Sequence, residues 1–197
     1  MTGGAPLPLR AWAHRAWVMA LLLGTCGVHA AVQEEATRRP YVVHAQPGES
    51  LRTALHAATP IAVGGQRFHG YTRWNVRWTF RWWREASGRC AITEVTTRLH
   101  TEVQLPQLQA ASPEQQAVFD RYLRALSDHE QGHVQIGRDA AQAIDQGIRQ
   151  MPAAPDCATL EREANALGRR LLQDHVAREK QYDQRTRHGA TQGARLD

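Results

Sequence analysis

The hydrophobic period of the chain changes between its two halves, and this change limits the folds open to it. Residues 71–84 (YTRWNVRWTFRWWR) and 90–105 alternate between apolar and polar side chains, as half-buried strands do. The segment 86–89 (ASGR) between them predicts a hairpin turn. From Ser112-Pro113 onwards, apolar side chains recur at spacings of three and four, which predicts a long helix. Strands followed by helices favour an α+β fold.

The remaining segments predict a small antiparallel sheet in the N-terminal half, packed on two long C-terminal helices. Residues 41–45 predict a first strand, and residues 51–58 a short helix. Leu105-Pro106 is expected to end the second long strand, because proline cannot donate to a ladder. The last long helix is predicted at 158–183, and the tail from Gln184 is predicted to be a loop.

The length of 197 residues suits one domain with a hydrophobic core. We place a single domain at residues 40–190 and a tail at 191–197. The polar residues 31–39 are expected to be a flexible N-terminus of the mature chain.

Residues 1–30 have the features of a cleaved signal peptide. Two arginines within residues 10–15 precede the apolar stretch 16–28, which is too short to span a bilayer comfortably. Small residues then allow cleavage after Ala30 or Ala31. A retained membrane anchor is the alternative interpretation. We therefore expect a secreted or periplasmic protein whose mature chain has no membrane span.

The charge of the chain is a weak argument for a nucleic-acid partner. The net charge is +5 and falls to +3 without the two arginines of the leader. Arginines interleaved with tryptophans at 71–84 could form a nucleic-acid surface. The continuous apolar face of that segment favours a core strand instead, with Trp74 and Trp78 pointing inward. We expect no nucleic-acid partner.

Two cysteines remain once the leader, with Cys26, is set aside. In an oxidising compartment Cys90 and Cys157 are expected to form a disulfide. Two buried free thiols are the alternative. Neither cysteine has a close second cysteine, so neither is a good candidate for a zinc ligand.

Residues 129–133 read His-Glu-Gln-Gly-His, which is the H-E-x-x-H pattern of zinc enzymes on a zincin-like helix. His129 and His133 are four residues apart and share one helix face, where they could bind one Zn²⁺ ion. Glu130 would be the general base. Both histidines lie in the apolar stripe of the helix, where a shared metal would satisfy them. The stripe consists of Val118, Tyr122, Leu126, His129, His133, Ile136, Ala140, Ile144 and Ile148.

The third metal ligand is open at this point. Asp139 lies six positions after His133, as in one class of zinc proteases, but the helical stripe continues past it and no turn is expected there. An acidic ligand from the last helix would be Glu179 or Asp183.

The chain resembles a family of predicted bacterial secreted zinc-dependent proteases that was long filed as a domain of unknown function. The resemblance covers most of residues 41–194. The matching features are Trp74, Trp78, Cys90 after a glycine turn, Leu105-Pro106, the HEQGH helix, Cys157, Tyr182-Asp183, Thr186 and His188-Gly189.

The resemblance implies an exported metallopeptidase that acts on a peptide or protein substrate. It also favours Asp183 as the third metal ligand. His188 is then a second choice of ligand, or a residue that stabilises the oxyanion. Two alternatives remain: a non-catalytic exported module that binds metal or a partner, and a zinc hydrolase that acts on cell-wall peptides.

Overall fold

The α+β class is confirmed by a computed structural model, which describes residues 32–196. A three-stranded sheet and two long helices make up most of this part of the chain. The elements are β1 (Gln33–His44), α1 (Leu51–Ala58), β2 (Ala62–Val63), β3 (Gln66–Arg67), β4 (Tyr71–Arg84), β5 (Cys90–Gln109), α2 (Pro113–Arg149), α3 (Cys157–Thr186) and a 3-10 helix (Ala190–Gln192). The predicted signal peptide and its cleavage site lie outside the described residues.

The predicted hairpin is confirmed as the antiparallel pair β4–β5, which runs from Tyr71 opposite Gln104 to Arg84 opposite Cys90. One register shift at Arg81/Trp82 interrupts the alternation near the turn. Up to that point, every second side chain of β4 faces the helices. One face of the hairpin is therefore the surface on which α2 and α3 pack.

The expectation of a flexible segment at residues 31–39 is wrong. Residues 33–44 form β1, which pairs in parallel with β5 from Gln33 opposite Arg98 to His44 opposite Gln109. The sheet has the order β1-β5-β4 and is mixed instead of purely antiparallel. β1 is an edge strand whose first half is mostly exposed on both faces. The sequence of this first half is mostly polar and shows no alternation, because its backbone pairing with β5 holds it in place.

Pro106 does not end β5, which continues to Gln109. β4 begins opposite Gln104, so the last residues of β5 have a strand neighbour only on the β1 side. A proline is tolerated there, because its missing N–H can lie on the side without a partner strand.

The predicted helix start at Ser112 is confirmed. The Ser112 side chain accepts from the backbone of Gln115, and the Gln115 side chain accepts from the backbone of Ser112. Pro113 occupies the first turn, where its missing N–H costs nothing. In the stripe, the prediction for Val118 is wrong: Val118 is 39% exposed, and Phe119 is buried instead.

The prediction of a loop from Gln184 is wrong in two respects. α3 continues to Thr186, and a 3-10 helix follows at Ala190–Gln192. Leu196, next to the chain end, is buried in the hydrophobic core. The tail is therefore a packed part of the fold.

Two hydrophobic clusters lie on either side of the middle of α2. The first joins α2 and α3 to β4 and β5, and the second joins the beginning of α2 to α1, β1 and the tail. The first contains Val76, Val95, Leu99, Ala140, Ala141, Ile144, Ile148 and Ala164. The second contains Tyr41, Val43, Leu51, Leu55, Leu108, Phe119, Tyr122, Leu126 and Leu196. The histidines of α2 lie between these clusters.

The predicted disulfide is confirmed between Cys90 and Cys157, whose Cα atoms are 5.1 Å apart. It joins the start of β5 to the start of α3. Among residues 32–196, no helix combines the length and apolarity needed to cross a membrane. The disulfide fits an exported protein.

Candidate metal centre

α2 places His129 and His133 on one buried face, directed towards α3. Both residues are less than 10% exposed. Their Nε2 atoms are 3.3 Å apart, and the rings meet edge to face with centroids 4.8 Å apart. The four-residue spacing therefore produces the paired arrangement that the motif predicts.

Asp183 of α3 completes a set of three donor atoms. Its Oδ1 lies 3.2 Å from Nε2 of His129 and 3.0 Å from Nε2 of His133. Tetrahedral ligands at about 2.0–2.1 Å from a zinc ion lie about 3.3 Å from one another. The three donor atoms are thus spaced as ligands of one small cation, and this buried group could hold a metal ion.

Glu179, the other acidic candidate, contacts the opposite side of the His133 ring. Its Oε1 lies 3.4 Å from Nδ1 of His133, although the two atoms are not aligned for a full hydrogen bond. The same oxygen accepts a hydrogen bond of 3.0 Å from the Trp74 indole. Asp139 is exposed and accepts from Gln135. Of the three acidic candidates, only Asp183 faces both Nε2 atoms.

His188 lies at the mouth of the centre, just beyond the end of α3. Its Nδ1 is 3.4 Å from Oδ1 of Asp183, and its side chain is about half exposed. The ring packs against Phe68 with centroids 4.9 Å apart. The structure thus brings His188 beside the three donor atoms, in contact with Asp183 and with solvent.

Glu130 points away from α3, towards the first residues of β4. Its side chain is buried, and Oε2 accepts a hydrogen bond of 2.7 Å from the hydroxyl of Thr72. A Cβ atom at Gly70 would lie 2.5 Å from Oε1, so only glycine leaves room for this carboxylate. Thr72 and Gly70 therefore hold Glu130 in one position on the wall of the site.

A cavity of about 520 Å³ opens over the centre. It is bounded by α2 and α3 on one side and by the β3–β4 segment on the other. Lining residues include Val63, Arg67, Phe68, Tyr71, Thr72, Tyr122, His129, Glu130, His133, Asp183 and His188. All five residues predicted as metal ligands or catalytic groups thus reach one cavity.

The pKa values of the site reflect a concentration of negative charge around the imidazoles. Burial alone would lower the pKa of His133, but its contacts with Asp183 and Glu179 outweigh burial and raise this pKa to about 9. Burial would raise the pKa of Asp183, yet hydrogen bonds with His129 and His133 hold this pKa well below its usual range. Negative charge is thus concentrated around the two imidazoles, which favours a positive charge at this place.

Burial also raises the pKa of Glu130, against the opposing effect of the hydrogen bond from Thr72. Electrostatic interactions with the two histidines act in the lowering direction as well, and they do not reverse the shift. Glu130 is therefore a better proton acceptor than an exposed glutamate.

Residues 38–189 match a family described as "Bacterial protein of unknown function (DUF922)". The chain belongs to this family. The match covers the three donor residues, Glu130 and His188 of the DUF922 chain, and it ends before the 3-10 helix. No curated protein and no solved structure matches the chain significantly. The predicted family of formerly unknown function is thus confirmed, while the protease activity that the resemblance implied stays a prediction.

Several residues of the DUF922 site were not predicted. Thr72 and Gly70 fix Glu130, and Gln192 contacts His129. None of them belongs to a recognisable motif, and each approaches the HEQGH helix from a distant part of the sequence. One local signal was present: Gly132 is an unfavourable residue inside a helix, and the Tyr182 ring occupies the place of its missing side chain.

Proposed function

We propose that this chain is an exported zinc-dependent peptidase. The proposal is carried by one observation: three donor atoms at 3.0–3.3 Å from one another lie beside a buried carboxylate that is not one of them. Two imidazoles and one carboxylate suit Zn²⁺. Three protein ligands leave a fourth position open, as catalytic zinc sites do and structural sites do not.

A zinc ion bound by His129, His133 and Asp183 would lower the pKa of a water molecule and polarise the carbonyl of the scissile bond. Glu130 would accept a proton from the attacking water and deliver it to the leaving amine nitrogen. Its raised pKa brings it closer to neutrality, where a group that must take and return a proton works best. The hydrogen bond from Thr72 keeps it in reach of the cavity.

His188 would stabilise the negative charge that develops on the carbonyl oxygen. Asp183 contacts Nδ1 of this ring, which leaves Nε2 free for a substrate in the cavity. A hydrogen bond from Nε2 to the developing oxyanion would lower the barrier to attack. The partial exposure of His188 at the mouth of the site supports this assignment.

Export is the second part of the proposal. The charged start, the apolar stretch and the small residues within 1–31 predict a cleaved leader. The Cys90–Cys157 disulfide supports an oxidising compartment. The substrate would therefore be a peptide or protein outside the cytoplasm.

The test is the substitution Glu130→Gln, with Glu163→Gln as the matched control at an exposed position of α3. We expect both variants to bind about one zinc ion per chain. Cleavage of a fluorescently labelled unfolded protein should fall by at least ~100-fold in Glu130→Gln and stay unchanged in the control. Normal turnover by Glu130→Gln would contradict the mechanism. Zinc binding by the unsubstituted chain without any cleavage would favour the non-catalytic metal-binding module.

A further inference from the structure

We propose that Gln192 is a positioning residue that fixes His129 in the form that binds metal. Gln192 lies in the C-terminal 3-10 helix, beyond the segment matched by the family. Its Oε1 is 3.0 Å from Nδ1 of His129, on the ring edge opposite the donor atom Nε2. The inference rests on the proposed metal site and names a residue that supports it.

The distances around Gln192 favour one direction for its hydrogen bonds. The Tyr182 hydroxyl donates to the backbone carbonyl of His129 at 3.2 Å and accepts from the Gln192 amide nitrogen at 3.1 Å. Both contacts are shorter than the 3.4 Å between the hydroxyl and Oε1 of Gln192, which the reverse arrangement would use. This turns Oε1 of Gln192 towards His129. Because an amide oxygen can only accept, Nδ1 of His129 must carry the ring proton. When the proposed metal ion is bound, Nε2 is then the nitrogen whose lone pair is available to it, beside Asp183 and His133.

Thr186 makes only a weaker contact with the same nitrogen. Its hydroxyl lies 3.5 Å from Nδ1 of His129, at the limit of a hydrogen bond, and donates to the carbonyl of Tyr182 at 2.8 Å. The same Tyr182 ring stacks on the imidazole of His129 with an interplanar angle of 11°. Stacking restrains the plane of the ring, and the bond to Gln192 restrains the position of Nδ1 within that plane.

The tail that carries Gln192 is held firmly in place. Leu196 is buried in the core beside α1 and α2, and the Arg52 guanidinium donates to its carbonyl. The Thr191 hydroxyl donates to the carbonyl of Thr186 at 3.2 Å, which ties the 3-10 helix to the end of α3. At Gly189, φ is +82°, and a Cβ atom would lie 3.1 Å from Cβ of His129. The backbone thus passes close enough to His129 for Gln192 to reach it.

A neutral partner suits His129 because the site is already rich in carboxylates. Asp183, Glu179 and Glu130 all lie close to the two imidazoles. His133 has the carboxylate of Glu179 on its Nδ1 side, whereas His129 has an amide. An amide fixes the ring proton without adding charge, and this distinguishes the two ligands chemically.

The test measures zinc affinity of the purified disulfide-bonded chain by competition with a chromophoric chelator. Gln192→Leu keeps the size of the side chain and removes the acceptor, so zinc should bind about tenfold more weakly. Gln192→Glu restores an acceptor and should bind zinc within about threefold of the unsubstituted chain. Gln135→Leu is the matched control, because Gln135 is exposed and contacts only Asp139 in the described hydrogen-bond network.

Circular dichroism of the metal-free variants separates loss of affinity from loss of fold. If Gln192→Leu does not fold, Gln192→Ala provides the same comparison, with at least a threefold loss expected. Wild-type affinity in the folded Leu or Ala variant would overturn the proposal, as would equal losses in Gln192→Leu and Gln192→Glu. If the unsubstituted chain itself binds no zinc, the proposed metal site fails instead.

Discussion

Gly132 and Gly137 lie in the middle of α2, where glycine weakens a helix by about 1 kcal/mol relative to alanine. At both positions, a neighbouring aromatic ring occupies the space that a side chain would need. A Cβ atom at Gly132 would overlap the ring of Tyr182, and one at Gly137 would lie 2.9 Å from the indole of Trp74. The helix stays continuous through both glycines. These glycines therefore serve close packing and not a kink.

At the residue scale, Gly132→Ala should destabilise the protein by about 2 kcal/mol, because overpacking outweighs the gain in helix propensity. Urea unfolding of the metal-free protein measures this change. Gly147→Ala is the matched control in the same helix, since its Cβ would meet the flexible ends of two leucine side chains, Leu171 at 3.1 Å and Leu167 at 3.4 Å. The control should change stability by less than about 1 kcal/mol. If Gly132→Ala instead stabilises the protein, the Tyr182 ring can move away from the added methyl group at little cost in free energy.

At the scale of elements, a series of indole groups connects β4 to α3. Trp74, Trp78 and Trp82 lie on the same face of the strand. Their N–H groups donate to Glu179, Asn165 and Glu161, at 3.0, 3.1 and 2.8 Å. The strand thereby sets the position of α3 along the sheet, and α3 carries Asp183 to the histidines.

Trp74→Phe should lower the free energy of unfolding by about 2 kcal/mol, because it removes a hydrogen bond to a half-buried carboxylate. Trp82→Phe is the natural comparison. Trp82 is 37% exposed, and its bond to Glu161 is open to solvent, so the loss should stay below about 1 kcal/mol. Denaturant unfolding of the zinc-free protein measures both values. Equal losses would mean that the bond to Glu179 adds nothing beyond packing.

On the scale of the whole molecule, the candidate metal centre and the disulfide are well separated. Ile148 lies fifteen residues after His133 on α2, which is about 22 Å along a helix. The Cys90–Cys157 bridge packs near that end of α2, with Ala154 and Leu160. The site and the covalent link are therefore independent features of the fold.

The double substitution Cys90→Ala with Cys157→Ala should cost about 4 kcal/mol of stability, because the bridge closes a loop across a sequence separation of 67. Zinc affinity should stay within about twofold of the unsubstituted chain at a temperature where the variant is folded. Thermal unfolding and chelator competition measure the two quantities. A parallel loss of zinc affinity would contradict the separation of the two features.

Local patterns in the sequence were sufficient to predict several parts of this protein. Alternation predicted the β4–β5 hairpin, and Ser112-Pro113 predicted the start of α2. The i,i+4 spacing of His129 and His133 predicted their shared face. Each of these patterns acts over a few neighbouring residues, so the backbone obeys it wherever the segment lies in the fold. The pairing of Cys90 with Cys157 followed from counting cysteines in an oxidising compartment.

Long-range contacts account for what the sequence left open or predicted wrongly. The first part of β1, residues 33–40, is mostly polar and pairs through its backbone, so no side-chain pattern indicates it. Asp183 and Glu179 lie one helical turn apart on α3, and sequence alone cannot tell which faces Nε2. The packing of Tyr182 against Gly132 sets the rotation of α3, and that rotation brings Asp183 to both histidines. Gln192 also reaches His129 through tertiary packing. The buried side chain of Leu196 holds the tail against α1 and the beginning of α2.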